Sequence, residues 1–480
     1  MDDRYDKLTA VCLKRGLFYP SSEIHNGPAG FFDYGSVGAK IKRNWENHWR
    51  QFFLKGLDEP CFEIDASTIM PEGVFRASGH LTDFVDPIAK CSKCGFSEKA
   101  NQIIEEVLKE SFEGMTPKEL DAVIAKHNIK CPKCGGKFKE TGVLGMMFDF
   151  TIGEDSKGYL RPETAQSSYV SFKREYSVNR EKLPLGIAII GRAYRNEISP
   201  RQGLFRMREF TQAELQIFFD PAKIDEHPKF KDMEKAKVTV VLAKARDKGE
   251  QEMSISELHK HGYQRMYLYY MAKMKEFYDT IGLKIRFFEK NDEERAFYNK
   301  YQFDGEVYFP SFNKHVEVLG LHYRTDHDLA GHQKISKQDM TVTREGKKIL
   351  PHVIELSFGV DRNIFALLDN GFKSDEKRVY IHLPKQVAPY IAGIYPLVNK
   401  DGIDDKAKAI YDILKKKMDV FYDDGGSIGR RYARADEIGI YYGITIDYDS
   451  LKNEDVTIRD IETTKQIRKK IEDLPDFLYV

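Results

Sequence analysis

Between Leu185 and Asp220 the chain reads LGIAIIGRAYRNEISPRQGLFRMREFTQAELQIFFD, two strand-length runs joined by an Arg-rich loop. In the second run Phe210, Gln212, Glu214 and Gln216 occupy one face of a two-residue period, and Thr211, Ala213, Leu215, Ile217 and Phe219 occupy the other. One face is polar and the other packs, which predicts a strand with a buried side. The neighbouring turn supplies Arg192, Arg195, Arg201, Arg206 and Arg208 within seventeen residues. A guanidinium is a planar fork that matches phosphate oxygens, so arginines facing an acidic strand let one cleft hold a phosphate and a cationic group together. The blander reading of the same residues is an antiparallel hairpin with a solvated basic turn.

A chain of 480 residues predicts two or three domains, each with its own core. Its 75 basic residues balance 75 acidic ones. Nothing global therefore attracts nucleic acid, and any RNA contact has to come from local basic patches. No apolar run approaches the length of a membrane span, and the start, MDDRYDKLTAVCLKRG, lacks the apolar segment of a secretory signal. A cytoplasmic protein with no membrane contact is expected. Four of the six cysteines form two CxxC pairs, Cys91 with Cys94 and Cys131 with Cys134, with Gly95 and Gly135 where the chain must turn tightly. Two such knuckles read as a structural Zn2+ site, with helices over Asn101–Phe112 and Pro117–His127 between them; reduced, unpaired thiols are the alternative. Cys12 and Cys61 read as buried apolar residues.

Helices are predicted over Tyr5–Arg15 and Ala39–Phe53, the second with Ile41, Trp45, Trp49, Phe52 and Phe53 along one stripe, and strands over Pro60–Met70 and Phe148–Ile152. In YLRPETAQSSYVSF a loop leads into a helix, with Pro162 suited to its first turns, Thr164 to its cap and Glu163 to its positive end. From Pro221 to about Lys300 the sequence is charged and reads as helical, its clearest element Gly262–Tyr278 with core aromatics, followed by a strand at Lys284–Phe288. In PHVIELSFGVDRNIFALL, Val353, Glu355 and Ser357 share one strand face, and Gly359 ends the strand where a helix begins. The free N–H groups there make a place for a phosphate. A charged link, Lys373–Lys377, precedes a mixed α/β region over Arg378–Val480.

YRNE followed by RQGLFRMREFTQAEL resembles the second signature motif of class II aminoacyl-tRNA synthetases, in the form found in the dimeric glycyl-tRNA synthetases. GFFDYGSVGAKIKRNWENHWRQFF is similar to their first motif, which implies a homodimer, although Ser36 stands where the family usually has Pro. FRASGHLTDFVDP resembles the family's loop beside the active site, RPETAQ a substrate-binding motif, His315–His332 the family's GEL and RTDYDL segments rather than a metal-ligand set, and PHVIELSFGVDR the third motif. SIGRRYARADEIG and TIRDIETTKQIR resemble the anticodon-binding domain shared with the histidyl, prolyl and threonyl enzymes, with Ile440-Tyr441 in place of the usual Thr-Pro.

The resemblance implies an α+β fold: a class II antiparallel sheet flanked by helices, a zinc-ribbon-like insertion and a C-terminal mixed α/β anticodon-binding domain. It divides the chain into catalytic segments at 1–90, 142–220 and 301–376, the zinc insertion at 91–141, a helical insertion at 221–300 and the anticodon-binding domain at 377–480. It implies activation of glycine by ATP and transfer to tRNA(Gly). Arg195, Arg362 and Glu317 become catalytic, with Glu317 holding Mg2+. Glu163, Phe210, Gln212, Glu214, Glu355 and Ser357 become the glycine site. Asn196, Glu197, Phe205, Arg206, Arg208, Val318 and Gly359 join Arg195, Phe210, Glu317 and Arg362 around ATP. The competing expectations are a non-catalytic RNA-binding paralogue and a class II ligase for another small amino acid such as serine or alanine.

Overall fold

The structure is a computed structural model that describes residues 3–479 except 111, 113, 199, 201, 202, 297 and 375–377. Arg201 and positions 375–377 of the charged link thus lie outside the described residues. The centre is a nine-stranded sheet built from β1 (Cys61–Glu63), β2 (Leu185–Tyr194), β3 (Glu209–Phe219), β4 (Lys237–Val241), β5 (Gln251–Ser254), β6 (Ile285–Glu289), β7 (Tyr301–Phe309), β8 (Lys314–Thr325) and β9 (His352–Gly359). Their order across the sheet is β5-β4-β6-β7-β8-β9-β3-β2-β1. Only β1 with β2 and β4 with β6 run parallel; the other neighbours are antiparallel.

The two-residue alternation of β3 is realised. Ala213, Leu215 and Ile217 are fully buried on the packing face, against a core that includes Trp45, Trp49 and Phe358. Register sets the opposite face: Glu214 lies across from Ser357, Gln216 from Glu355, and His322 of β8 from Glu355 on its other side.

The aromatic stripe predicted over Ala39–Phe53 belongs to helix α1 (Ser36–Trp49), which continues into a wider π-type turn at Arg50–Leu54. Trp45, Trp49 and Phe53 meet Phe358 at centroid distances of 6.4, 6.0 and 5.1 Å, so the stripe is spent on the chain's own core. Further helices are α2 (Ala165–Val178), α3 (Arg265–Thr280), α4 (His327–Ser336) and α5 (Val360–Gly371). Tyr169, Phe172 and Tyr176 of α2 pack with Leu329 of α4 over Ile187 and Phe218, roofing one end of the sheet's polar face.

Two sequence expectations need correction. Pro60–Met70 is not one strand: Cys61–Glu63 joins β2, and Ile69–Pro71 leaves to pair with Ser156–Leu160 in a separate three-stranded sheet. The strand expected at Lys284–Phe288 is β6, but the rest of 221–300 is not simply helical either, because β4 and β5 also join the main sheet and only α3 is a long helix there. β4 and β5 are five and four residues long, too short for period-2 alternation to stand out. The aromatics of α3, including Tyr267, Tyr270 and Phe277, are fully buried as expected.

Val85–Lys90, Ser97–Lys99 and Gly142–Gly145 form a small sheet that carries helices Ala100–Leu108 and Pro117–Lys126, the latter opened by a Thr116–Glu119 capping box. After residue 377 a five-stranded sheet centred on Ala392–Pro396 and Tyr442–Ile446 packs against helix Ile403–Leu414 through Ile394, Ile410 and Ile444. No described helix is long and apolar enough to cross a membrane.

Candidate active site

A cavity of about 240 Å³ lies on the polar face of β3, β8 and β9. One end is acidic. Glu214 accepts from the Thr164 hydroxyl at 2.7 Å, the Ser357 hydroxyl at 2.8 Å and the Gln212 amide at 2.9 Å. Thr164 therefore does not cap α2 as its position predicts; it spends its hydroxyl on the site. Glu355 accepts from His322 Nδ1 at 2.5 Å, Gln216 Nε2 at 2.8 Å and the Tyr169 hydroxyl at 3.2 Å, with Arg324 Nη1 at 3.4 Å. Glu163, preceding α2, takes the Gln166 amide at 3.0 Å and stands 3.5 Å from His80 Nε2.

Three buried carboxylates this close cannot all carry charge at no cost. Burial raises the Glu214 carboxyl, the charges of Glu355 and Glu163 raise it further, and the hydroxyls of Thr164 and Ser357 offset only part, so it is pushed up to about 8. Burial also acts to raise Glu355, but Arg324 and His322 outweigh it and hold that carboxyl at about 2. Glu163 follows the same balance: burial raises it, and His80 and Arg324 bring it well below the usual carboxylate range. An ionised pair beside a protonated third is a site that a small cation completes.

The other end is cationic. Arg195 lines the cavity with its guanidinium 5.3 Å from the Phe210 ring centroid and 5.4 Å from that of Phe84, its Nε bonded to Pro162 O at 3.1 Å. Arg206 is tied to Glu197 by two N–H groups at 2.7 and 2.6 Å. Arg362, in the first turn of α5, donates to Glu317 O at 2.7 Å, stands 3.4 Å from Glu317 Oε2, and lies 5.3 Å from the Phe205 ring centroid. Val318 and Gly359 also line the cavity, and the Val318 carbonyl accepts from Asn363 of α5. Asp361 joins the two sides: it accepts from the Thr211 backbone N–H of β3 at 2.5 Å and from the Tyr34 hydroxyl at 2.7 Å. Asn196 and Arg208 are not among the cavity walls. Arg208 instead donates to the carbonyls of Glu197 and Ala29, holding the loop.

Glu317 is a half-exposed carboxylate whose charge is felt by Asp304; burial, then Glu317, raises Asp304 to about 6. Mg2+ takes one or two protein carboxylates and completes its shell with water and substrate phosphate, and a rim carboxylate beside arginines fits that demand. The Cys91, Cys94, Cys131 and Cys134 sulfurs all lie within 4.8 Å of one another, with Cys91–Cys134 at 3.5 Å and Cys94–Cys131 at 3.7 Å. Tetrahedral Zn–S bonds place sulfurs about 3.8 Å apart, so the four thiols fit a zinc ion. Among the described residues no other group of three or more such ligands converges.

The sequence reading put Gln216 on the polar face without a role, and it missed the other residues that hold the carboxylates: His80, Gln166, Tyr169, His322, Arg324 and Asp328. Arg324 forms a two-pronged pair with Asp328 at 2.7 and 2.9 Å and lies 4.3 Å from the Tyr298 ring centroid. The usable signal was the spacing of Gly320, His322 and Arg324, which places an imidazole and a guanidinium on the face that β9 presents with Glu355.

The full length of the chain compares closely with known proteins. It is 39% identical to a glycine–tRNA ligase of Pyrococcus horikoshii, covering 98% of both chains, and 36% identical to one of Methanocaldococcus jannaschii, covering 99% of this chain and 98% of that one. The chain belongs to the glycine–tRNA ligase family. Within it, residues 148–243 match a tRNA synthetase class II core domain (G, H, P, S and T), and residues 392–479 match an anticodon binding domain. A solved Giardia lamblia prolyl-tRNA synthetase in complex with prolyl-adenylate superposes with a TM-score of 0.62 at 15% identity, covering 98% of this chain and 76% of that one, which is likeness of fold. The expected α+β class II architecture is therefore present.

Proposed function

We infer that this chain is a glycine–tRNA ligase that activates glycine with ATP to glycyl-adenylate and passes the glycyl group to the 3′ end of tRNA(Gly). The observation that carries the reading is that one cavity is lined both by the trio Glu163, Glu214 and Glu355 and by Arg195, Arg206 and Arg362. An ammonium satisfies the first set and a triphosphate the second. A substrate held by both has its carboxylate between them.

In the first step a glycine carboxylate oxygen forms a bond to the α-phosphorus, the bond from that phosphorus to the bridging oxygen breaks, and pyrophosphate leaves with the electron pair. The nucleophile is already an anion, so no general base is needed. Positive charge placed against the phosphates lowers the barrier. Arg195, stacked on Phe210, holds the α-phosphate; Arg206 and Arg362 hold the outer phosphates; Phe210 lies under adenine. Mg2+ held by Glu317 would neutralise phosphate charge. Zn2+ on the four cysteines is structural, bracing the small sheet at Val85–Lys90 far in sequence from the carboxylates. Glycine offers no side chain and its ammonium is common to all amino acids, so the grip on the ammonium supplies affinity and selection comes from filled space where a methyl would sit, which removes the need for an editing site.

The proposed division follows the same lines: catalytic segments around the nine-stranded sheet, a zinc insertion at 91–141, and anticodon binding beyond 377. Assembly as a homodimer rests on the resemblance of the α1 region to the first class II motif. Purified protein should support ATP–pyrophosphate exchange with glycine and then charge tRNA with labelled glycine. Exchange supported equally by serine or alanine would move the assignment to another small amino acid, and absence of exchange with any amino acid would favour the RNA-binding paralogue.

A further inference from the structure

Glu163 and Glu355 lie on different elements, yet one hydrogen-bonded brace joins them. Gln166 Nε2 donates to Glu163 Oε1 and to Asp328 Oδ1, each at 3.0 Å. Asp328 takes both prongs of Arg324, and Arg324 reaches Glu355. Gln166, Asp328, Arg324 and Glu355 are all buried. The element that closes the brace is α4, which carries Asp328 in its first turn and His332 one turn later.

His332 is 5% exposed, and its Nε2 sits 3.0 Å from Gln166 Oε1. A carboxylate on each amide hydrogen dictates which end of the Gln166 amide faces Glu163 and Asp328, because a carbonyl there would meet two anions. Its oxygen is then turned toward α4, where His332 Nε2 lies, so the imidazole carries its proton on Nε2. Three of the amide's four in-plane valences are thereby used: two donors on acids and one lone pair on a histidine. Remove the imidazole donor and a buried carbonyl is left unpaired, so Gln166 turns to seek a partner and loosens its hold on Glu163.

We propose that His332 is a positioning residue for glycine recognition, anchoring the Gln166 amide so that the Glu163 carboxylate is held where the glycine ammonium binds. His332 lies behind Gln166, on the far side from the cavity, and touches no substrate. The inference rests on the reading of this cavity as the glycine site. It predicts that the effect of His332 appears in glycine affinity and not in ATP affinity.

The experiment measures glycine-dependent ATP–pyrophosphate exchange with His332→Leu, which keeps apolar volume without a donor, and His332→Gln, whose amide nitrogen stands the same number of bonds from Cβ as Nε2. Losing one buried hydrogen bond should raise the glycine KM of His332→Leu about tenfold. Its kcat and ATP KM should stay within about twofold of the parent, the split expected when binding shared equally by ground and transition states is lost. His332→Gln should restore most of the glycine affinity. An unchanged glycine KM in His332→Leu, or equal loss for glycine and ATP, overturns the proposal. If His332→Leu does not fold, His332→Asn against His332→Gln decides it: Asn is one bond too short to reach Gln166 Oε1, and equal glycine KM values in those two overturn the proposal. Failure of the underlying glycine reading is distinguishable, because the parent protein would then show no glycine-dependent exchange at all.

Discussion

The two ends of the cavity are built differently. At the acidic end Glu214 and Glu355 are each 3% exposed and each accepts from three or more named donors. At the cationic end the side chains of Arg362 and Glu317 are 33% and 52% exposed, and Arg206 is paired to Glu197. An ammonium is small and recognised by where its acceptors stand, so the acidic end is braced in advance by residues from β3, β8, β9, α2 and α4. A triphosphate brings its own charge and can exchange partners with arginines that carboxylates hold in waiting. On the proposed reading, ammonium recognition belongs to the buried end and charge neutralisation to the exposed one.

The sharpest way to break that contrast is to weaken one end at a time. Glu355→Gln removes the charge that faces buried Arg324 and His322, and breaking such a buried pair costs about 3–5 kcal/mol, so glycine-dependent exchange should fall by about two to four orders of magnitude. ATP KM should hold, and circular dichroism should report an unchanged fold. Arg362→Ala should act in the opposite sense: loss of one placed cation lowers kcat/KM for ATP about a hundredfold, measured by exchange at saturating glycine, while glycine KM moves little. Equal damage to both substrates in either variant would show that the two ends are not separable.

Proton linkage gives a graded test of the acidic end. Glu214 titrates at about 8 in the free protein, so at pH 7 it is protonated, and an arriving ammonium favours its ionised form. Glycine binding should release a proton at neutral pH, and affinity should rise about tenfold per pH unit up to about pH 8 and then level off. Calorimetry in buffers of different ionisation enthalpy reads this directly; proton uptake, or none, would contradict it. The smallest effect on the cavity is expected from Cys94→Ser. That change should cost bound zinc by elemental analysis and lower the melting temperature, yet leave glycine KM within about twofold, because the site lies outside the brace.

What was legible in the sequence is what short-range periodicity records. The alternation from Phe210 to Gln216 predicted the strand and its buried side, and the same pattern put Glu355 and Ser357 on one face of β9; their assignment to a glycine site came from the resemblance, which periodicity alone does not supply. The CxxC spacing located four thiols that the fold brings within ligand distance of each other. The supporting residues were hidden because their partners are remote in the chain: Gln166 meets Asp328 and His332, and Tyr169 meets Glu355, across more than 150 positions. Thr164 was misread for a related reason, since a threonine before a helix resembles a cap until Glu214 is placed beside it. The strands at Lys237–Val241 and Gln251–Ser254 were hidden by their shortness, and their place at the sheet edge is set by pairing rather than by their own pattern.

The central claim is that the acidic end recognises an ammonium. Glycolate, which keeps the carboxylate of glycine and replaces the ammonium by a neutral hydroxyl, tests it most directly as a competitor in glycine-dependent ATP–pyrophosphate exchange. Loss of a charge-paired buried contact should weaken glycolate by about a hundredfold or more relative to the glycine KM. Inhibition by glycolate at concentrations comparable to that KM would contradict the account.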